Sequence, residues 1–298
     1  MGATRQRILY ASKAVNVGGT NLPGVQSCTY GFELARTDVQ AFGKLAAHDR
    51  LLTTTPTVTV EVQRLAEKST GIITKPKVLT NAASSMTDIV IALDNGGTDP
   101  DHRDFSTATA KIQAKGCFVS SATAEASVGA FALQTVGFEG TGIDALGTIA
   151  KPGTATASPQ ERINVGTQFS GGSFLDVEGV AQSCNMTVNI TREILEKFHR
   201  RFSDQRLIQF PSSATMTQEG LDLANKVDFA EASKFSESSA GMVNAIFKID
   251  TKKYGLTGAI ADSVTFNGGI GDNHTVSVVY SASIGSLTDT IHNFSGHE

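Results

Sequence analysis

The sequence predicts a mainly β chain built from two tandem copies of one unit, each copy carrying a flanking α-helix. Three observations predict it. Residues 26–51 align without a gap with 182–207, at an offset of 156 residues. Gln26, Ser27, Cys28, Arg36, Phe42, Arg50 and Leu51 fall on Gln182, Ser183, Cys184, Arg192, Phe198, Arg206 and Leu207. Apolar residues alternate with period two in both copies and keep the same phase. A second match, at an offset of 142, sets Gly116, Gly129 and Val136 on Gly258, Gly271 and Val278. Self-similarity of this kind points to a duplicated unit and is weighed before any other feature.

The first element is a strand over 28–36. Cys28, Tyr30, Phe32 and Leu34 alternate with Thr29, Gly31, Glu33 and Ala35, which puts one set on each face of a pleated strand. The second copy keeps the phase, with Cys184, Met186, Val188 and Ile190 against Asn185, Thr187, Asn189 and Thr191. A helix is expected next. Thr37 or Asp38 can cap it. Val39, Phe42 and Ala46 then share one face, matched by Leu195, Phe198 and Phe202. Gly43 inside that helix costs about 1 kcal/mol relative to Ala. Phe42 and Phe198 are expected to pin each helix to its sheet, and truncating either to Ala to cost about 3–5 kcal/mol.

A strand over 57–63 follows Pro56, with Val58, Val60 and Val62 against Thr57, Thr59 and Glu61. Its weaker counterpart is 213–218, behind Pro211. Residues 86–93 suit a short strand or helix, and 68–111 hold an insertion in copy one. The matching region, 222–239, reads as shorter and more helical. In the last hairpin, Ala122, Ala124, Ala126 and Val128 match Val264, Phe266, Gly268 and Ile270, and Phe138 falls on Tyr280. The drop in offset from 156 to 142 measures a length difference of 14 residues. Residues 147–160 have linker composition, so the domains are 1–155 and 156–298.

Composition narrows function. Hydrophobic content of 40% suits a globular chain, and a net charge of -4 gives no basic field for holding nucleic acid. Three cysteines, an odd count without pairing logic, read as reduced thiols. No apolar run reaches membrane-spanning length, and the start has no signal-peptide core. His48 beside Asp49 suggests a dyad, but the second copy has Asp204 and Gln205 there, which favours a surface loop. The six histidines show no metal spacing. Gly268-Gly269-Ile270-Gly271 lies between strands, the wrong setting for a phosphate cradle. No nucleophile, base and acid come together, so no enzyme, metal or cofactor is expected.

The segments Arg7-Ile8-Leu9-Tyr10-Ala11, 24–36, Thr37-Asp38-Val39-Gln40-Ala41-Phe42-Gly43-Lys44-Leu45, Asp49-Arg50-Leu51 and Pro56-Thr57-Val58 resemble the tail tube (major tail) proteins of long-tailed bacteriophages. The resemblance is most specific over 7–63 and reaches the second half through the repeat. It implies β-sandwich or barrel-like units with one flanking helix. Single-unit members form hexameric rings that stack into a hollow tube, with the inner sheets joined around a lumen. Two fused units imply a trimeric ring with pseudo-sixfold symmetry. The implied location is the virion tail, after synthesis in the host cytoplasm. The implied partners are further copies of the chain, tape-measure, tail-tip and tail-terminator proteins, and double-stranded DNA passing without specific binding; no membrane is involved. The alternatives are a two-domain β-rich binding module or a secretion-system tube.

On the polar strand faces stand Thr29, Glu33, Glu61, Glu125 and Glu139. Asn189, Thr217, Asn267 and Ser281 are the neutral counterparts of the four carboxylates in copy two. These residues are expected to face the lumen as alternating acidic and neutral sectors, without the Lys and Arg that would hold phosphates. Arg50 and Arg206 are expected either to bridge subunits or rings or to pair locally with their own helix. Arg7, in the N-terminal segment, is a third interface candidate.

Overall fold

The computed structural model describes residues 13–40, 42–43, 49–52, 55–67, 87–93, 110–140, 142–145, 169–170, 181–194, 206–208, 211–221, 243–249, 252–268, 274–285 and 293–295. The first half contributes β1 (Lys13–Val17), β2 (Thr20–Asn21), β3 (Val25–Glu33), β4 (Arg36–Val39), β5 (Asp49–Leu52), β6 (Thr57–Leu65), β7 (Thr87–Leu93), β8 (Ala110–Ser127), β9 (Leu133–Gly140) and β10 (Gly142–Ala145). The second contributes β11 (Phe169–Ser170), β12 (Ala181–Asn189), β13 (Arg192–Ile194), β14 (Arg206–Ile208), β15 (Ser212–Leu221), β16 (Val243–Ile249), β17 (Lys252–Asn267), β18 (Thr275–Ile284) and β19 (Asn293–Ser295).

Eight of these strands form one antiparallel run, in the order β3-β6-β9-β8-β12-β15-β18-β17. Period-two sequence creates it. In β6, Val58, Val60 and Val62 are buried while Thr59 and Glu61 are exposed. The long strands β8 and β17 serve two sheets each. The N-terminal part of β8 pairs with β7 and β10, and β7 continues to β1 and β2. The N-terminal part of β17 pairs with β16 and β19. Near each crossing sits a glycine at positive φ, Gly116 at 61° and Gly258 at 66°, a conformation that other residues adopt at a cost.

The small sheets cover one face of the eight-stranded run. Val15, Ile89, Phe247 and Leu256 from the small sheets share one hydrophobic cluster with Val62, Val136, Met186 and Val278 from the large one. This is a layered β arrangement with one packed and one open face.

Strand order and register irregularities recur between the two halves. The run β3-β6-β9-β8 has the same order as β12-β15-β18-β17. Register irregularities between Val25 and Ser27 and between Ala181 and Ser183 differ by 156. Those between Val119 and Ser121 and between Ala261 and Ser263 differ by 142. A third pair, Thr87/Ile89 and Val243/Ala245, again differs by 156. The change of offset therefore falls between β7 and β8. Residues 94–109 lie there, against only 250–251 between β16 and β17. Bulges mark functional bends in a strand rather than defects, so their repetition is stronger evidence of correspondence than matched letters.

After β3 the chain forms a hairpin in place of the expected helix. Arg36–Val39 and Asp49–Leu52 pair antiparallel, and no helix occurs among the described residues. Thr37 and Val39 are β-branched and suit a strand. Gly43 takes φ 84°, which a right-handed helix cannot use. Phe42, expected in the core, is fully exposed beside it. In the second half, β13 pairs with β14 in the same register, since Arg192 faces Ile208 as Arg36 faces Leu52. Residues 195–205, with Leu195, Phe198 and Phe202, lie outside the described residues. So do Arg7, the linker at 147–160, the boundary near 155, and 222–239.

Candidate functional site

The open face of the large sheet gathers every lumen candidate. One row crosses seven strands as Thr29, Glu61, Gly137, Ser121, Asn189, Ser213 and Ser283. A second contains Glu125, Asn185 and Thr217. Glu33 faces Thr57, Glu139 faces Thr59 and Asn267 faces Thr275. Period-two alternation puts all of these on one side. In the seven ladders that join these eight strands no Lys or Arg shares this face. Hydroxyls tie neighbouring strands together, as with Thr123 Oγ1 and Thr187 Oγ1 at 3.2 Å.

The second half is less neutral than expected. Glu219 lies on the same face and accepts a hydrogen bond from Ser183 Oγ at 3.2 Å. Asp262, at the register irregularity of β17, accepts one from Ser281 Oγ at 2.9 Å. On this face the first half is thus the more acidic and the second half the less acidic. Glu219 was legible as a continuation of the 213–218 alternation. Asp262 was not, because a bulge residue breaks the period.

This face ends at two strands. Among the described residues β3 pairs only with β6, and residues 260–267 of β17 pair only with β18. Large apolar side chains lie exposed along both: Tyr30 at 41%, Phe32 at 44%, Ile260 at 51% and Phe266 at 47%. The corresponding residues inside the chain behave differently. Met186 and Val188, at the positions of Tyr30 and Phe32, are fully buried where β8 lies alongside β12.

Arg192 closes that internal junction. Its Nε donates to the Val119 carbonyl at 2.9 Å, and its guanidinium carbon stands 4.8 Å from the centroid of the Phe118 ring. Burial pulls the guanidinium down to about 10. The corresponding β4–β5 hairpin stands in solvent, with Arg36, Val39, Phe42 and Leu51 exposed. Arg50 pairs within it, Nε to Asp38 Oδ1 at 2.7 Å. An exposed pair of this kind contributes about 0–1 kcal/mol. Arg206 occupies the matching position on β14.

A buried polar cluster joins the two halves. Arg64 donates through Nε and a terminal nitrogen to Gln134 Oε1, at 3.1 and 3.0 Å. Gln134 Nε2 donates to the Tyr254 hydroxyl at 2.8 Å, and the Tyr254 ring stacks on Phe247 at 5.1 Å. Burial pulls the Arg64 guanidinium down, opposed by Glu67 and Tyr254. Sequence reading missed this cluster, because its members are 70 and 120 residues apart. The three cysteines are thiols, with Cys117 and Cys184 buried and Cys28 half-buried. Burial pushes the Cys184 thiol up.

Among the described residues no group of three His, Cys, Asp or Glu could hold a metal ion, and no helix is long and apolar enough to cross a membrane. No protein-family model matches the chain, and no curated protein sequence matches it significantly.

Proposed function

We propose that this chain is a structural virion protein, whose copies join edge to edge into rings that stack as the hollow tail tube conducting DNA. The observation that carries this reading is one sheet whose polar face has no Lys or Arg in its strand ladders, with two edges that are open and apolar among the described residues. Open edges invite pairing, and closing a sheet on itself removes them. An even number of antiparallel strands lets β17 meet β3 of the next chain without breaking the alternation.

The corresponding halves, 1–155 and 156–298, are read as two tandem copies of the tail-tube fold, so three chains supply six units. Three runs of eight strands make a barrel of about 24, with strands about 4.8 Å apart and tilted by about 40°. Such a barrel has a backbone diameter of roughly 48 Å. Side chains leave a bore of roughly 38 Å, wide enough for a DNA duplex. A wall of Thr, Ser, Asn and Glu without Lys or Arg offers phosphates no counter-charge, so DNA slides rather than binds. Tape-measure, tail-tip and terminator proteins are the partners this role requires.

Negative-stain electron microscopy of the purified chain over a concentration series tests the proposal. Rings or hollow fibres with threefold or pseudo-sixfold symmetry are expected. Monodisperse monomers at every concentration, with and without tail tips as seeds, would sink it.

A further inference from the structure

We infer that the junction between chains copies the β8–β12 junction within the chain, and that Arg36 is its clasp. The inference rests on the assembly reading and names the partner surface: β17 of one copy against β3 and the β4–β5 hairpin of a second. The internal ladder serves as the mould. There, Met186 faces Ala124, Val188 faces Ala122 and Asn185 faces Glu125. Shifted by the two offsets, Tyr30 faces Phe266, Phe32 faces Val264 and Thr29 faces Asn267 of the neighbour. Pairing in this register covers Tyr30, Phe32 and Ile260, which stand exposed in the single chain.

The clasp follows from the hairpins. Arg36 and Arg192 hold the same position in hairpins of the same register. Arg192 reaches over Phe118 and donates to Val119 O. The residues 142 positions on from Phe118 and Val119 are Ile260 and Ala261. Arg36 therefore lies over Ile260 of the next chain and donates Nε–H to its Ala261 carbonyl. Ile260 keeps the backbone hydrogen bond but removes the aromatic face. The junction between chains is thereby weaker than the one within, and single chains persist until assembly begins.

Three variants, assayed by sedimentation for the concentration at which assembly starts, test the clasp. A hydrogen bond from a charged group is worth roughly 10–100-fold in a binding constant, so Arg36→Ala should raise the threshold by about that factor with the melting temperature of the single chain unchanged. Ile260→Phe supplies the missing ring and should lower the threshold by roughly 2–30-fold, but only when Arg36 is present. In the double variant the gain should vanish. Arg36→Ala assembling at the wild-type concentration overturns the clasp and leaves the tube reading standing. An Ile260→Phe gain independent of Arg36 does the same. A wild-type chain that assembles under no condition overturns both.

Discussion

Phe32 separates folding from assembly within one side chain. It sits on edge strand β3 and is 44% exposed. A buried aromatic covers about 150–250 Å². On the order of 110 Å² is therefore already covered inside the chain, and about 90 Å² is left for a neighbour in the proposed assembly. At about 25 cal/mol per Å² the uncovered share is worth about 2 kcal/mol per junction. Phe32→Ala should raise the assembly threshold about 30-fold. The covered share is lost in the single chain, at about 3 kcal/mol. Denaturant melts at sub-threshold concentration read the second loss, and sedimentation read against concentration reads the first. Loss of stability with no change in threshold would refute the reasoning, because the exposed part of the ring would then meet nothing.

Further outcomes follow from the same geometry. Cys28 should react with iodoacetamide in the single chain and become protected on assembly, as Cys184 is protected by β8 within the chain; mass spectrometry of alkylated peptides reads both. Burial raises Tyr254 to about 12, with the Gln134 hydrogen bond and Arg64 opposing. The folded chain keeps a proton that the unfolded chain loses near 10, so the contribution of Tyr254 to stability is complete below that pH and is lost as pH rises from about 10 to 12, by on the order of 3 kcal/mol. The buried Arg64 and Arg192 slope the other way, so the test is the difference: in denaturant melts across this range the stability of the wild type relative to Tyr254→Phe should fall with pH. Glu61→Lys combined with Glu125→Lys should leave tubes intact on microscopy but give them salt-dependent retention of DNA fragments, with no retention by wild-type tubes.

Much of the sheet was legible because period two is a local signal. Val58, Val60 and Val62 announce β6, and the phase shared by Cys28 and Cys184 announces corresponding strands. Every lumen candidate reached one face because alternation decides side as well as strand. The hairpin at 36–52 is hidden in the sequence because Val39, Phe42 and Ala46 also fit a helical spacing, and a short apolar pattern fits either period. Gly43 is the discordant residue, and its positive φ resolves the ambiguity. The Arg64–Gln134–Tyr254 cluster was illegible, since only the folded topology brings its members together. Arg36 was visible as a repeat identity, but its role depended on seeing what Arg192 touches.

The central claim is that chains join head to tail through β17 and β3, and disulfide capture tests it most directly. Ile190 N donates to Ser120 O, and Val128 N donates to Gln182 O. Asn185 and Glu125 are therefore a non-hydrogen-bonded pair, whose α-carbons lie about 4.5 Å apart, within reach of a disulfide. The matching pair between chains is Thr29 and Asn267. A Cys28→Ser chain carrying Thr29→Cys and Asn267→Cys, oxidised above the assembly threshold, should give covalent dimers and closed trimers and nothing larger on non-reducing gels. Assembled particles that yield no cross-linked species would contradict the head-to-tail junction.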